Sequence, residues 1–130
     1  MESVVLDAQA LFYLQKKEIP QTLLELREKI ITGNIRIIIP TVAIAELLWK
    51  MRRWGRLQEF NYAFTTWKET LNIIIDSFDT KILEIMSQNA ESKELHDEII
   101  ASTCKKYNTD IIYTKDDIFK RDYGLKIINW

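Results

Sequence analysis

Five short runs dominate the chain: residues 4–6 (VVL), 36–39 (RIII), 72–75 (NIII), 111–113 (IIY) and 126–128 (KII). They are rich in β-branched residues and almost continuously apolar, not alternating. A strand with one wet face alternates, whereas a strand apolar along its length is covered on both faces, the environment of a parallel sheet. Between these runs the apolar spacing predicts helices over 8–17, 22–32 (closed by Gly33-Asn34), 42–54, 57–70, 80–88 and 95–107, with a short one after Asp116. Strand and helix alternate throughout. That order implies βαβ crossovers and an α/β fold, a three-layer α/β/α domain around a central, mostly parallel five-stranded sheet. Ligands of such sheets bind beyond the carboxyl ends of the strands, near the point where strand order reverses.

A chain of 130 residues without repeats, low-complexity segments or Pro/Gly-rich linkers fits one domain, residues 1–130. Its 47% hydrophobic content, with only three glycines and two prolines, excludes a disordered or fibrous chain. The single cysteine, Cys104, makes neither an internal disulfide nor a zinc-cysteine site, which points to a reducing, cytoplasmic setting. No apolar run approaches the ~18 residues of a membrane span, and no basic segment of a signal peptide opens the chain. The formal net charge of −1 gives no overall attraction for nucleic acid. An anionic partner must therefore meet a local basic patch or a bound cation.

The first strand ends on a carboxylate, Asp7, before apolar sequence resumes. Three other acids stand at comparable places. Glu46 lies in the early turns of the helix opened by Pro40-Thr41, with Thr41 the expected N-cap, and nearly opposite the apolar stripe Ile44, Leu47, Leu48, Met51; it is also spaced to pair with Lys50 at i,i+4. Asp97 sits at the edge of the apolar arc of LHDEIIASTCKKY, beside small Ala101, where the helix N-terminal dipole also favours an acid. Asp116 follows the fourth strand in IIYTKDD, a place that suits an N-cap. Each acid taken alone has this structural explanation. Together they put two carboxylates at strand ends and two on early helical turns, the hard-oxygen donor set of a divalent cation such as Mg2+ or Mn2+. Without a cation, gathered carboxylates repel and shift one another's titration. Bound divalent cations organise the hydrolysis of phosphodiesters.

These motifs, in order, resemble the PIN-domain ribonucleases, particularly the VapC-type toxins of toxin–antitoxin pairs. The resemblance runs through VVLDAQAL at Asp7, PTVAIAELL at Glu46, HDEIIAST at Asp97 and IIYTKDD at Thr114 and Asp116, covering almost the whole chain. It implies a PIN-like domain in which Asp7, Glu46, Asp97 and Asp116 hold the metal for RNA cleavage, with Thr114 supporting them. It also implies a homodimer neutralised by a small antitoxin protein. Two positions depart from the family pattern. Gln9 stands where a small hydroxyl residue is common, and Asp117 is an extra carboxylate that offers an alternative ligand to Asp116.

The densest basic segment is WKMRRWGR, where Lys50, Arg52, Arg53 and Arg56 lie among Trp49 and Trp54. It suits an RNA contact, a partner interface, or a helix end whose cations complement the C-terminal dipole. His96 adjoins Asp97, but neighbouring helical residues point about 100° apart, which argues against a shared catalytic site. Cys104 falls on the apolar arc and reads as a core residue. The non-enzymatic alternative is a catalytically inactive PIN-like module that binds RNA or protein, with Gln9 as its best support. A haloacid-dehalogenase-like phosphotransferase would want an acid at the Gln9 position. A receiver-like domain would want paired acids by the first strand and a lysine ending the last.

Overall fold

The computed structural model describes residues 1–130. Its strands are β1 (Glu2–Leu6), β2 (Ile35–Pro40), β3 (Ile73–Asp76), β4 (Ile111–Tyr113) and β5 (Lys126–Ile128). The helices are α1 (Ala8–Tyr13), α2 (Gln21–Thr32), α3 (Thr41–Arg53), α4 (Leu57–Glu69), α5 (Thr80–Met86), α6 (Leu95–Lys106) and α7 (Ile118–Tyr123). The strands form one sheet in the order β3-β2-β1-β4-β5, and every pairing is parallel.

The sheet separates two cores, which explains the unbroken apolar runs. On one face Val4, Leu6, Ile35, Ile37 and Ile39 pack with residues of α1 to α4, among them Leu11, Leu23, Leu47 and Phe60. On the other, Val5, Ile38 and Ile112 pack with Ile100 and Cys104 of α6 and Phe119 of α7. Successive strand residues point to opposite faces, so a sheet covered on both sides needs apolar side chains at every position.

Three local expectations change. The first helix stops at Tyr13 instead of running to residue 17. Residues 14–18 form turns and bends instead, and Pro20 keeps Ile19 extended before α2. Thr41 is the first helical residue of α3 and not its N-cap; Pro40 takes that position and makes no side-chain cap bond. Asp117, not Asp116, stands at the N-cap of α7, also without a side-chain cap bond.

One polar tie fastens β3 to α6. Asp76, ending β3 and only 5% exposed, accepts hydrogen bonds from Lys106 Nζ at 2.7 Å and the Tyr107 hydroxyl at 2.6 Å. Lys106 also reaches Asp79 Oδ2 at 3.0 Å, while Asp79 Oδ1 caps α5 by accepting from the Ile82 N–H. The hydrogen bond from Lys106 holds the Asp79 carboxyl below its usual range. Burial first, then the hydrogen bond to Asp76, pushes the Tyr107 hydroxyl up to about 12.

Candidate active site

Strand order reverses beside β1: β2 and then β3 extend the sheet on one side, β4 and β5 on the other. The β1–β4 register pairs Val5 with Ile112 and Leu6 with Tyr113. The next residues, Asp7 and Thr114, therefore emerge together at the carboxyl edge, where open α/β sheets form their binding crevice.

A chain of hydrogen bonds fixes this corner. The Thr114 hydroxyl donates to Asp7 Oδ2 at 2.6 Å, and Asp7 Oδ1 caps α1 by accepting from the Gln9 N–H at 2.8 Å. Thr114 Oγ1 also accepts from the Asp116 N–H at 3.0 Å, and Asp116 Oδ1 accepts from the Ile118 N–H at 3.0 Å. Asp116 therefore steadies the start of α7 from one residue before the N-cap and keeps its exposed position. Gln9 has a definite place here: its side-chain oxygen accepts from the Lys115 N–H at 3.0 Å, tying the first turn of α1 to the loop after β4.

Asp7 is 8% exposed and has no cationic partner. Burial pushes its carboxyl above the usual range, opposed by the bonds from Thr114 and Gln9 and reinforced by the charge of Glu46. Asp97, half-buried at the start of α6, rises to about 6 through burial, then through the charges of Glu94, Asp116 and Asp7. These mutual effects bring Asp7, Glu46, Asp97 and Asp116 into one electrostatic neighbourhood. No three carboxylate, histidine or cysteine groups come close enough to form a ready metal cage. Asp117 is exposed and is not among the charges acting on Asp7 or Asp97.

The donor set fits a hard divalent cation. It consists of carboxylate oxygens, one of them buried, with no lysine or arginine paired to Asp7, Asp97 or Asp116. Mg2+ keeps several waters and takes one or two carboxylates directly, so wide spacing is compatible with it. Glu46 alone has a cation, Lys50 Nζ at 3.2 Å, the i,i+4 pair its spacing allowed.

Glu94 is a member the motif reading passed over. As N-cap of α6 it accepts from the Asp97 N–H at 2.8 Å and adds a carboxylate beside Asp97. Its signal in the sequence was Glu94-x-x-Asp97 at a helix start, the spacing of an N-terminal cap. His96 is exposed and lines a groove with Glu46, Trp49 and Lys50. Lys50 and Arg53 stand at that groove, Arg53 over the Trp49 ring, whereas Arg56 pairs with Glu59 and Arg52 is exposed. Cys104 is buried in the core, and burial pushes its thiol up to about 12. A groove of about 590 Å3 lies between the turn after α1, α2 and α4 and contains none of the four motif acids.

No curated protein sequence matches the chain. Solved structures do. The VapBC2 complex from Rickettsia felis, bound to a DNA fragment from its promoter, aligns at a TM-score of 0.73 and 20% identity, over 98% of each chain. DNA-bound VapBC from Salmonella typhimurium gives 0.70 at 18% identity, over 100% of this chain and 99% of that one. VapC20 from Mycobacterium tuberculosis, a toxin that cleaves the sarcin-ricin loop, gives 0.69 at 8% identity, over 95% and 96%. At these identities the likeness concerns the fold. The sequence profile of the PIN domain matches residues 4–124, from the strand that delivers Asp7 to the glycine closing α7. Nearly the whole chain is thus accounted for by one family, and the protein belongs to the PIN domain family.

Proposed function

We propose that the protein is a metal-dependent endoribonuclease, the toxin component of a type II toxin–antitoxin pair. The observation that carries this reading is the neighbourhood of carboxylates at the point where strand order reverses, in which Asp7, Asp97 and Asp116 have no cationic partner and Glu46 has only Lys50. Burial and mutual repulsion raise Asp7 and Asp97, so a cation there gains the full attraction of charges that no side chain neutralises. Asp7, Asp97 and Asp116, together with Glu46, would hold Mg2+ or Mn2+. When bound, such an ion supplies charge stabilisation at the scissile phosphate and an activated water. Thr114 fixes the rotamer of Asp7, Gln9 fixes the loop that carries Asp116, and Asp117 remains a reserve ligand. Lys50, Arg52, Arg53 and Arg56 offer positive charge to the RNA backbone or to a protein partner.

Support for a small antitoxin partner comes from the VapBC complexes that share the fold. A homodimer is part of the same reading; exposed Ile31 and Leu71 give apolar surface for a contact. A cytoplasmic location accords with this role, and no helix is long and apolar enough to cross a membrane.

The test is cleavage of single-stranded RNA with and without Mn2+ or Mg2+. Cleavage that stops with EDTA and with Asp97→Asn is the expected result; metal-independent cleavage, or full activity in Asp97→Asn, would overturn the reading. The inactive binding module is favoured by one observation, the lack of a preformed cage. Titration calorimetry separates the two, because the module takes up no Mn2+ at millimolar concentration even with RNA present.

A further inference from the structure

Building on the ribonuclease reading, we propose that the groove between α3 and the start of α6 is a nucleobase subsite for single-stranded RNA, with the Trp49 indole as its stacking surface. The groove has a volume of about 460 Å3 and is lined by Val42, Ala45, Glu46, Trp49, Lys50 and His96. That volume lies within the range of small-ligand sites. Val42 and Ala45 supply an apolar wall, and the small Ala45 side chain leaves room for a flat ring. Trp49 is 52% exposed, so about half of its surface faces solvent. The Arg53 guanidinium lies over the ring, 4.7 Å from its centroid, and steadies it by cation–π attraction.

Position gives the groove its meaning. Glu46 belongs both to its lining and to the charges that act on Asp7, and His96 precedes Asp97 on α6. The subsite and the carboxylate neighbourhood thus share Glu46 and the first turn of α6. A nucleotide whose phosphate approaches the acids has its base beside Trp49. Lys50 and Arg53 stand beside the groove, where the backbone of the same strand offers phosphates.

Charge decides between a nucleotide and an apolar protein segment. An apolar segment would desolvate the Glu46–Lys50 pair and leave Arg53 without an anion, a costly arrangement. A nucleotide covers the indole and gives the cations a phosphate. Only an unpaired base presents a free face for stacking, so the subsite selects single strands and tolerates many sequences. Trp54, equally exposed, packs on the Phe12 ring at 5.3 Å and is not part of this groove.

The experiment uses the whole chain with Asp7→Asn to stop cleavage, in Mg2+, titrated into a short single-stranded RNA carrying 2-aminopurine at successive positions. Binding should quench the fluorophore at one position. Adding Trp49→Ala should remove that quench and weaken affinity about 10-fold, with Trp49→Phe retaining most of both. Trp54→Ala should alter neither, the duplex form of the RNA should be insensitive to Trp49→Ala, and that substitution in the otherwise wild-type chain should leave Mn2+ binding unchanged. Quench and affinity indifferent to Trp49→Ala would overturn the subsite. So would equal weakening by Trp54→Ala, or a change of oligomeric state by light scattering with RNA affinity unaltered, which would make Trp49 a protein contact. Trp49-dependent RNA binding without any metal-dependent cleavage by the wild-type chain would sustain the subsite and refute the ribonuclease reading.

Discussion

Two buried aspartates end neighbouring parts of the same sheet and have opposite surroundings. Asp76, at the end of β3, is met by Lys106 and Tyr107 and completes a closed network with Asp79. Asp7, just past the end of β1, receives the Thr114 hydroxyl and backbone N–H groups of the first turn of α1 but no cation, and its nearby charges are other acids. Depth does not separate them, since both are more than nine-tenths buried. Charge compensation does. A buried carboxylate given a lysine and a hydroxyl holds elements together, whereas one left among like charges is poised to receive a cation from outside.

The largest effect that tests this contrast falls on catalysis. Asp7→Asn should lower metal-dependent RNA cleavage by more than about 100-fold, exceeding the loss that outer-shell partners alone produce. The same variant should not lower the melting temperature of the metal-free chain, because it removes a desolvated charge and keeps the shape. Asp76→Ala should do the reverse. Losing two charge-assisted hydrogen bonds and leaving Lys106 with exposed Asp79 alone should cost about 3 kcal/mol in denaturant unfolding, while cleavage per folded molecule stays near wild type. A chain in which Asp76→Ala abolished cleavage at full stability would erase the distinction.

Thr114→Val should fall between them. It removes the bond that orients Asp7 and the acceptor for the Asp116 N–H, so cleavage and Mn2+ affinity should drop about 10- to 100-fold. Unfolding should become easier by about 1 kcal/mol.

The pH dependence follows from the raised acids. Asp97 titrates near 6 in the folded chain, above its ordinary 3.8, so the folded state binds more protons than the unfolded one between those values. Its contribution to the metal-free chain is present below pH ~4 and lost as pH rises through about 6. Asp7, also raised, acts with the same sign. Asp97→Asn should flatten that part of the stability profile measured in EDTA, and an unchanged slope would contradict the crowding of carboxylates. Gln9→Ala should give the smallest effect, a change in cleavage of less than about 10-fold, because it loosens the loop at Lys115 without touching an acid.

The strands were legible in the sequence because double-sided burial leaves a local mark. The isoleucines of RIII and NIII are consecutive because neighbours enter different cores, Ile37 and Ile38 in the one and Ile73 and Ile74 in the other. The four acids of the motif could be picked out as candidates by type and order, and the fold brings their charges within reach of one another. Their caps were less so: Asp116 and Asp117 are adjacent and either suits a helix start, and the backbone turn after Thr114 made Asp117 the N-cap. The role of Asp76 left no local mark, since its partners Lys106 and Tyr107 lie about thirty residues away. Glu94 was overlooked because its effect on Asp97 depends on a cap geometry one turn long.

By itself, the sequence determined the alternation of covered strands and amphipathic helices, the parallel sheet that follows, and which residue types stand at its carboxyl edge. These depend on periodicity and side-chain chemistry, which act over a few residues. Tertiary structure alone decided which acids are neutralised and which are left bare, and that Gln9 ties down the loop at Lys115. It also decided that Trp49 and His96 face one groove beside Glu46. Such pairings join residues from distant parts of the chain, and only the register of β1 against β4 and the packing of α6 on α3 bring them together.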